Sequence, residues 1–548
     1  MRMRRIRARG AAAIALVVAM AAAGCSGGGS ETEPGERPTI RWGAATQGIT
    51  SMDPVRAVQP LDRNLSMMLF DGLVRYKTNE ATAPFEPGIA KAIPTQATAN
   101  GKQVWTIELR PGVMCPAGRK TEAYELTAED VVFSLQRAAN PDESTFSAVY
   151  TGYESVDMVD ADTLTVTMKY PVSESVFLPT ISNWQGGLVV CKKAVEAEGS
   201  EEFGKHPVGP GPFRFESWTP GQGITLLAHD EYYLGKPLAA GWEIRFMADD
   251  TARQAALFSG DVDLAPPAGT GNKGLEMVDE RKGFQTVEVP LFGTWYLMFN
   301  TKVGPTADQA VREALAYAVN RDDYVVSAGD RTARPTLSAW GDALPSGVSD
   351  SHVEQAGLTY SYDPAKAREM LAAAGYPNGF TVTITAPNDA TFFQILQAQM
   401  KEIGVTVEIR TVDQPTWQKA MMTGQESLML TLIAYRPTPQ VPFTSFFYGP
   451  SATLGGENPA QNFSGYDGAD AMIDAAAQEA DPQKQKQMWQ QIHDKLLADV
   501  VVKPLFISYQ SYGSVCGFTW GGVEPPVAIP GNFQASYKAT VDRSADDC

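Results

Sequence analysis

The stretch Phe380–Arg410, FTVTITAPNDATFFQILQAQMKEIGVTVEIR, decides the fold class. At one end Val382 and Ile384 oppose Thr381, Thr383 and Thr385. At the other, Val405, Val407 and Ile409 oppose Thr406, Glu408 and Arg410. Period-two alternation of β-branched residues marks half-buried strands. The segment between them reads as a helix. Strand, helix and strand in that order form a βαβ unit, so part of the sheet is parallel and the class is α/β.

A further apolar strand follows, SLMLTLIAY at Ser427–Tyr435. It runs into LIAYRPTPQVPF, Leu432–Phe443, with three prolines in six residues. Proline fixes φ and removes a donor, so a rigid, extended loop is expected there rather than helix or strand. Ligands of open α/β sheets bind beyond the carboxyl ends of strands. Tyr435 and Arg436 are therefore candidate ligand-binding residues.

The same patterns recur elsewhere. In TLTVTMKY, Leu164, Val166 and Met168 share a face; in VWTIELR, Trp105, Ile107 and Leu109 do. LTAEDVVFSLQRAANP has Thr127 as N-cap and Asp130 three residues on, a capping-box variant. DPAKAREMLAAAGYPNGF has Asp363 at N-cap, Pro364 at N1 and Gly375 past the end. ADQAVREALAYAVNR places Val311, Leu315, Ala318 and Val319 on one stripe.

The first 24 residues read as a signal peptide. Five arginines precede an apolar run, Ala11–Ala23, which falls short of the about 20 residues that span a bilayer. Small residues before Cys25 resemble the bacterial lipobox, with Ala22 where leucine is usual. Cys25 is thus the expected lipidation site, and residues 25–37 a tether rich in Ser and Gly. An ordinary signal peptide with an incidental cysteine is the alternative. Loss of residues 1–24 leaves 40 basic and 63 acidic side chains, a net charge of −23, which excludes a nucleic-acid partner. The expected location is the outer face of the cell membrane.

Of the five cysteines, Cys115, Cys191, Cys516 and Cys548 remain for two disulfides in an exported protein. Three pairings exist. Cys115–Cys191 and Cys516–Cys548 keep each pair within one region of the chain; free buried thiols are the alternative. The four histidines, His206, His229, His352 and His493, lack metal-ligand spacing and read as surface or capping residues. No nucleophile elbow, Walker loop or dinucleotide fingerprint occurs, so neither enzyme, metal nor cofactor is expected.

Nine segments in order carry a resemblance: SMDPVRA, LFDGLVRY, the stretch from WTIELRPGV to VVFSLQR, HPVGPGPF through EYYLGKP, FSGDVDL, WYLMFNT, VREALAYAVNR, YDPAKAREMLAAAGYPNGF and FSGYDGADAMIDAA. In this order the chain resembles the extracellular solute-binding proteins of peptide-type ABC importers, the oligopeptide- and dipeptide-binding family 5, from about Ile40 to Tyr509. The resemblance implies a two-lobed, hinged periplasmic-binding-protein type II fold with an extra inserted domain. Lobe one would comprise residues 38–70, 205–294 and 505–548, the inserted domain 71–204, and lobe two 295–504. Crossings are implied near Trp295–Asn300 and Val502–Ser508. A monomer would close on a peptide or peptide-like ligand and deliver it to an ABC permease in the membrane.

In this family the loop after the lobe-two strand commonly reads Trp, two residues, Asp, two residues, Asp-Pro. An acid there pairs with a peptide's ammonium. Here Tyr435 stands for the tryptophan, Thr438 and Val441 for the two acids, and Pro442 is kept. Arg436 adds a positive charge, and a guanidinium prefers carboxylate or planar partners. The ligand expected at this loop presents an anion or a neutral polar group rather than an ammonium. By the same analogy Trp295, Tyr296, Phe446, Phe447, Tyr448 and Asn183-Trp184 line the cleft. The rewritten loop also raises an alternative, a non-transporting regulatory or scaffold lipoprotein of the same fold.

Overall fold

Alternation in Phe380–Arg410 becomes parallel pairing. In the computed structural model, Thr381–Ala386 and Thr406–Thr411 pair in parallel, Thr381 opposite Thr406, and the intervening helix is Thr391–Glu402. The structure describes residues 37–77, 85–182, 184–268, 271–344, 346–434, 438–457, 461–479, 481–521, 532–545 and 547–548. Cys25, Asn183, Tyr435 and Arg436 lie outside the described residues.

Among the described residues the main sheet has nine strands. Eight follow one path: Phe213–Thr219, Gly223–Ala228, Gly241–Phe246, Thr39–Ala44, Leu264–Ala265, Val502–Val515, Phe284–Phe299 and Leu428–Ala434. Ala333–Pro335 adds to Val502–Val515. The two longest strands, Phe284–Phe299 and Val502–Val515, pair antiparallel from Phe284↔Val515 to Met298↔Val502. At one end they join Leu264–Ala265; at the other they join Leu428–Ala434 and Ala333–Pro335. They thus cross from one part of the core to another.

A separate four-stranded antiparallel sheet holds Lys102–Glu108 and Thr163–Met168 between Thr95–Ala99 and Tyr153–Met158. Trp105, Ile107, Leu164 and Val166 are buried there, and Trp105 stacks on Phe177 with centroids 4.3 Å apart. Helix Ala128–Ala139 begins with the full capping box of Thr127 and Asp130. Gly112, after Pro111, has φ +76, the positive value a type II turn requires at its third residue. In VGPGPF, a Cβ on Gly211 would lie 2.4 Å from the Leu69 carbonyl carbon, so only glycine lets this turn press against the end of helix Pro60–Leu69.

The family-like segments meet through buried charges. Asp53 of SMDPVRA pairs with Arg137 of VVFSLQR, and both are nearly inaccessible. Asp71 and Arg75 of LFDGLVRY pair with each other, and Tyr232 and Tyr233 of EYYLGKP donate to Asp71 at 2.6 and 2.7 Å. Burying a carboxyl group without such partners would be costly.

Two expectations change, for the proline-rich segment and for two histidines, while the favoured disulfide pairing is found. Leu432–Phe443 is not a loop throughout: Leu432–Ala434 completes a strand, and Gln440–Phe446 is a helix. Pro442 sits in that helix's first turn, where the missing N–H would have no partner anyway. His229 and His493 are buried rather than at the surface. The His493 ring accepts from the Ala339 N–H at 3.1 Å and donates from Nδ1 to Asp494 at 2.9 Å, so both nitrogens are satisfied inside the fold. Cys115 is bonded to Cys191, and Cys516 to Cys548, with Cα atoms 5.9 and 4.9 Å apart.

Candidate functional site

Strand Leu428–Ala434 ends at a cavity of about 480 Å3, lined by its last residues, Thr431–Ala434, and by Met429. The neighbouring strand contributes Trp295, which faces Leu432 across the ladder. Its indole meets Phe392 edge-on, with centroids 5.0 Å apart, and stacks on Phe506 at 6.1 Å. Helix Thr391–Glu402 supplies Phe392 and Phe393, and helix Gln414–Met421 supplies Trp417 and Met421, with Met422 just after it. Phe446 closes the lining from helix Gln440–Phe446.

Part of the lining comes from far away in sequence. Pro60 and Arg63 belong to helix Pro60–Leu69. The Arg63 guanidinium lies over the Trp184 ring, 4.0 Å from its centroid, and donates to the Val58 carbonyl at 2.6 Å. Trp184 is buried and also meets Phe146 edge-on at 5.3 Å. Beside Arg63, the buried Asp62 accepts from the Thr50 and Gln59 N–H groups at 3.1 and 3.2 Å. Burial pushes its carboxyl up to about 6, and those two donors only partly offset this.

Arg63 and Asp389 are the ionisable side chains among the described lining residues. Asp389 is exposed and accepts from the Thr391 N–H and hydroxyl at 3.2 and 2.7 Å, just ahead of helix Thr391–Glu402. The remaining wall is mostly apolar, with five aromatic and three methionine side chains, and Ser327, Thr391, Thr431 and Gln461 supply neutral polar groups, so the cavity suits an apolar group with a few polar contacts. Among the described residues no three His, Cys, Asp or Glu side chains cluster as a metal site.

The anticipated residues divide. Trp295 and Phe446 line the cavity. Trp184 sits behind Arg63. Tyr296 points to the other face of its strand, as period two demands, and donates to the Ala339 carbonyl at 2.6 Å. Tyr448 lies beyond the helix and donates to Asp474 at 2.9 Å; burial and then that carboxylate push its hydroxyl up. Thr438 is buried and Phe447 packs in the core. Arg63, Trp417, Phe392 and the methionines were not anticipated. One signal was present: in FF at Phe392–Phe393, adjacent helical residues point in different directions. Phe393 is buried in the core, Phe392 packs half-buried against that core, and both reach the cavity.

Comparison with known proteins accords with this geometry. A glutathione-binding protein of Pectobacterium atrosepticum is 28% identical over 371 residues, 67% of this chain and 68% of that protein. The solved structure of MoaA from A. tumefacien R10, in complex with mannopinic acid, has a TM-score of 0.81 at 30% identity, covering 92% of this chain and 99% of that one. The ABC transporter-associated periplasmic binding protein DppA from Helicobacter pylori, in complex with peptide STSA, has a TM-score of 0.79 at 21% identity, covering 93% and 99%. Among the described residues no helix is long and apolar enough to cross a membrane. The family model "Bacterial extracellular solute-binding proteins, family 5 Middle" matches residues 84–455, more than half of the chain. This chain belongs to the family 5 extracellular solute-binding proteins, which serve ABC importers and are not enzymes.

Proposed function

We propose that this protein is the lipid-anchored substrate-binding subunit of an ABC importer and captures a peptide or peptide-like solute. The carrying observation is the cavity of about 480 Å3, where residues 60 and 63 share a wall with residues drawn from 295–461. In this reading, residues 38–70, 205–294 and 505–548 form lobe one, 71–204 the inserted domain, and 295–504 lobe two. The paired strands Phe284–Phe299 and Val502–Val515 support it, since they are the links between the two sides. Ligand closes the lobes by binding the closed state better, and the closed form docks on the permease. Acylation at Cys25 anchors the protein outside the membrane.

The loop that follows Ala434 sets the ligand's end group. Thr438 and Val441 stand where peptide binders carry acids, and Arg436 accompanies them. The ligand presents there an anion or neutral polar group, such as an acylated amine. Mass spectrometry of molecules that copurify with the protein is expected to find such a compound. Calorimetry with matched free-amine and N-acetylated peptides is expected to favour the acetylated forms; clear preference for free amines would sink the loop reading. Absence of any ligand-induced stabilisation would point instead to a non-transporting scaffold lipoprotein.

A further inference from the structure

We infer that Gln485 is a latch: its side-chain amide, held by the Ala476 carbonyl, ties Ser173 and Ser175 of the inserted domain to lobe two and so favours the closed form. This rests on the lobe reading proposed above and names a contact that makes closure hold. Gln485 lies one turn into helix Pro482–Ala498, 312 and 310 positions from Ser173 and Ser175. Its Nε2 donates to the Ala476 carbonyl at 2.9 Å. A carbonyl only accepts, so this bond fixes the amide with its oxygen toward the serines. The Ser173 and Ser175 hydroxyls donate to that oxygen at 3.0 and 2.7 Å. Gln485 and Ser173 are each only 3% exposed.

Ser173 stands at the N-cap of helix Glu174–Thr180, yet its side chain makes no cap hydrogen bond there. A serine at that position ordinarily turns its hydroxyl on its own helix. Here the hydroxyl serves a residue far along the chain instead. A second contact lies on the same side. The Tyr448 hydroxyl is pushed up first by burial, then by Asp474, Asp470 and Tyr170, and Tyr170 is three residues before Ser173. Both contacts lean on helix Asp470–Gln478: Gln485 through Ala476, and Tyr448 through Asp474. Opening the lobes would part the serines from Gln485, and water would take their place. Neutral hydrogen bonds exchanged for water differ little in free energy, so the latch biases closure by about tenfold without locking it. A bound solute adds its own preference for the closed state.

The test is single-molecule energy transfer on the full-length chain carrying Cys25→Ser, without added solute. Dyes sit at Glu122→Cys and Glu369→Cys, exposed positions of the inserted domain and of lobe two. The four other native cysteines are paired, which leaves these two thiols to label. The chain with its latch intact is expected to show two efficiencies, closed and open. Gln485→Leu, and separately Ser173→Ala with Ser175→Ala, are each expected to lower the closed-to-open ratio about tenfold. Combining all three changes is expected to lower it no further, as a shared contact requires. Ser175→Thr, which keeps the hydroxyl, is expected to match the chain with its latch intact. Thermal melts check folding; a Gln485 that serves only its own lobe would lower melting without moving the ratio, against the latch. Two efficiencies in an unchanged ratio would overturn the latch and leave the lobe reading standing. A single efficiency shared by every variant would overturn both.

Discussion

Asp62 shows how a single buried carboxyl shapes the site. Its folded value of about 6 lies above the unfolded value near 4, so the fold favours the neutral form. The stability this provides is complete below about pH 4 and is lost as pH rises through 6. Asp62→Asn cannot ionise. It is expected to melt above the unmodified protein at pH 8, by the equivalent of up to about 3 kcal/mol, and to match it near pH 4. Melting curves at both pH values check this. His493 acts in the opposite sense. Burial holds its imidazole below the usual range, against the pull of Asp494, so stability is lost as pH falls below about 6.5. Neither effect was legible in the sequence, because both depend on which atoms end up dry. Arg63's place in the lining was hidden for the same reason: its guanidinium packs on Trp184, 121 positions away. Trp295 was legible only through the family resemblance.

Elements were read more readily than residues. The βαβ unit, the capping box at Thr127 and the Asp363–Pro364 helix start all rest on local rules, and the structure shows them. The proline-rich segment misled because those rules depend on position. Pro442 breaks a helix interior but fits a first turn. What joins the elements was not local at all. Asp53 and Arg137 lie 84 positions apart and share a buried pair. Arg137→Met would leave Asp53 buried without its cation. Chemical denaturation is expected to show a loss of about 3–5 kcal/mol. The bond between Cys115 and Cys191 closes a span of 76 residues. Replacing both cysteines with alanine is expected to cost about 2–4 kcal/mol on the same assay.

At the scale of the molecule, the lobes were inferred from the order of nine segments and not from periodicity, since no local pattern states which strands run long. The strands Phe284–Phe299 and Val502–Val515 pair with each other and join different strands at their two ends, which supports the proposed lobes. A solute that binds only the folded, closed form is expected to raise stability by about 2.7 kcal/mol at a hundredfold excess over its dissociation constant. Trp295 gives this molecule one more property. Of ten tryptophans, two, Trp295 and Trp417, line the cavity. A half-buried indole such as Trp295 that loses its remaining water to a solute emits light of shorter wavelength. The protein therefore carries its own optical reporter: solute entry is expected to shift its ultraviolet emission to the blue, and the double variant Trp295→Phe, Trp417→Phe is expected to stay dark to solute while calorimetry still records heat.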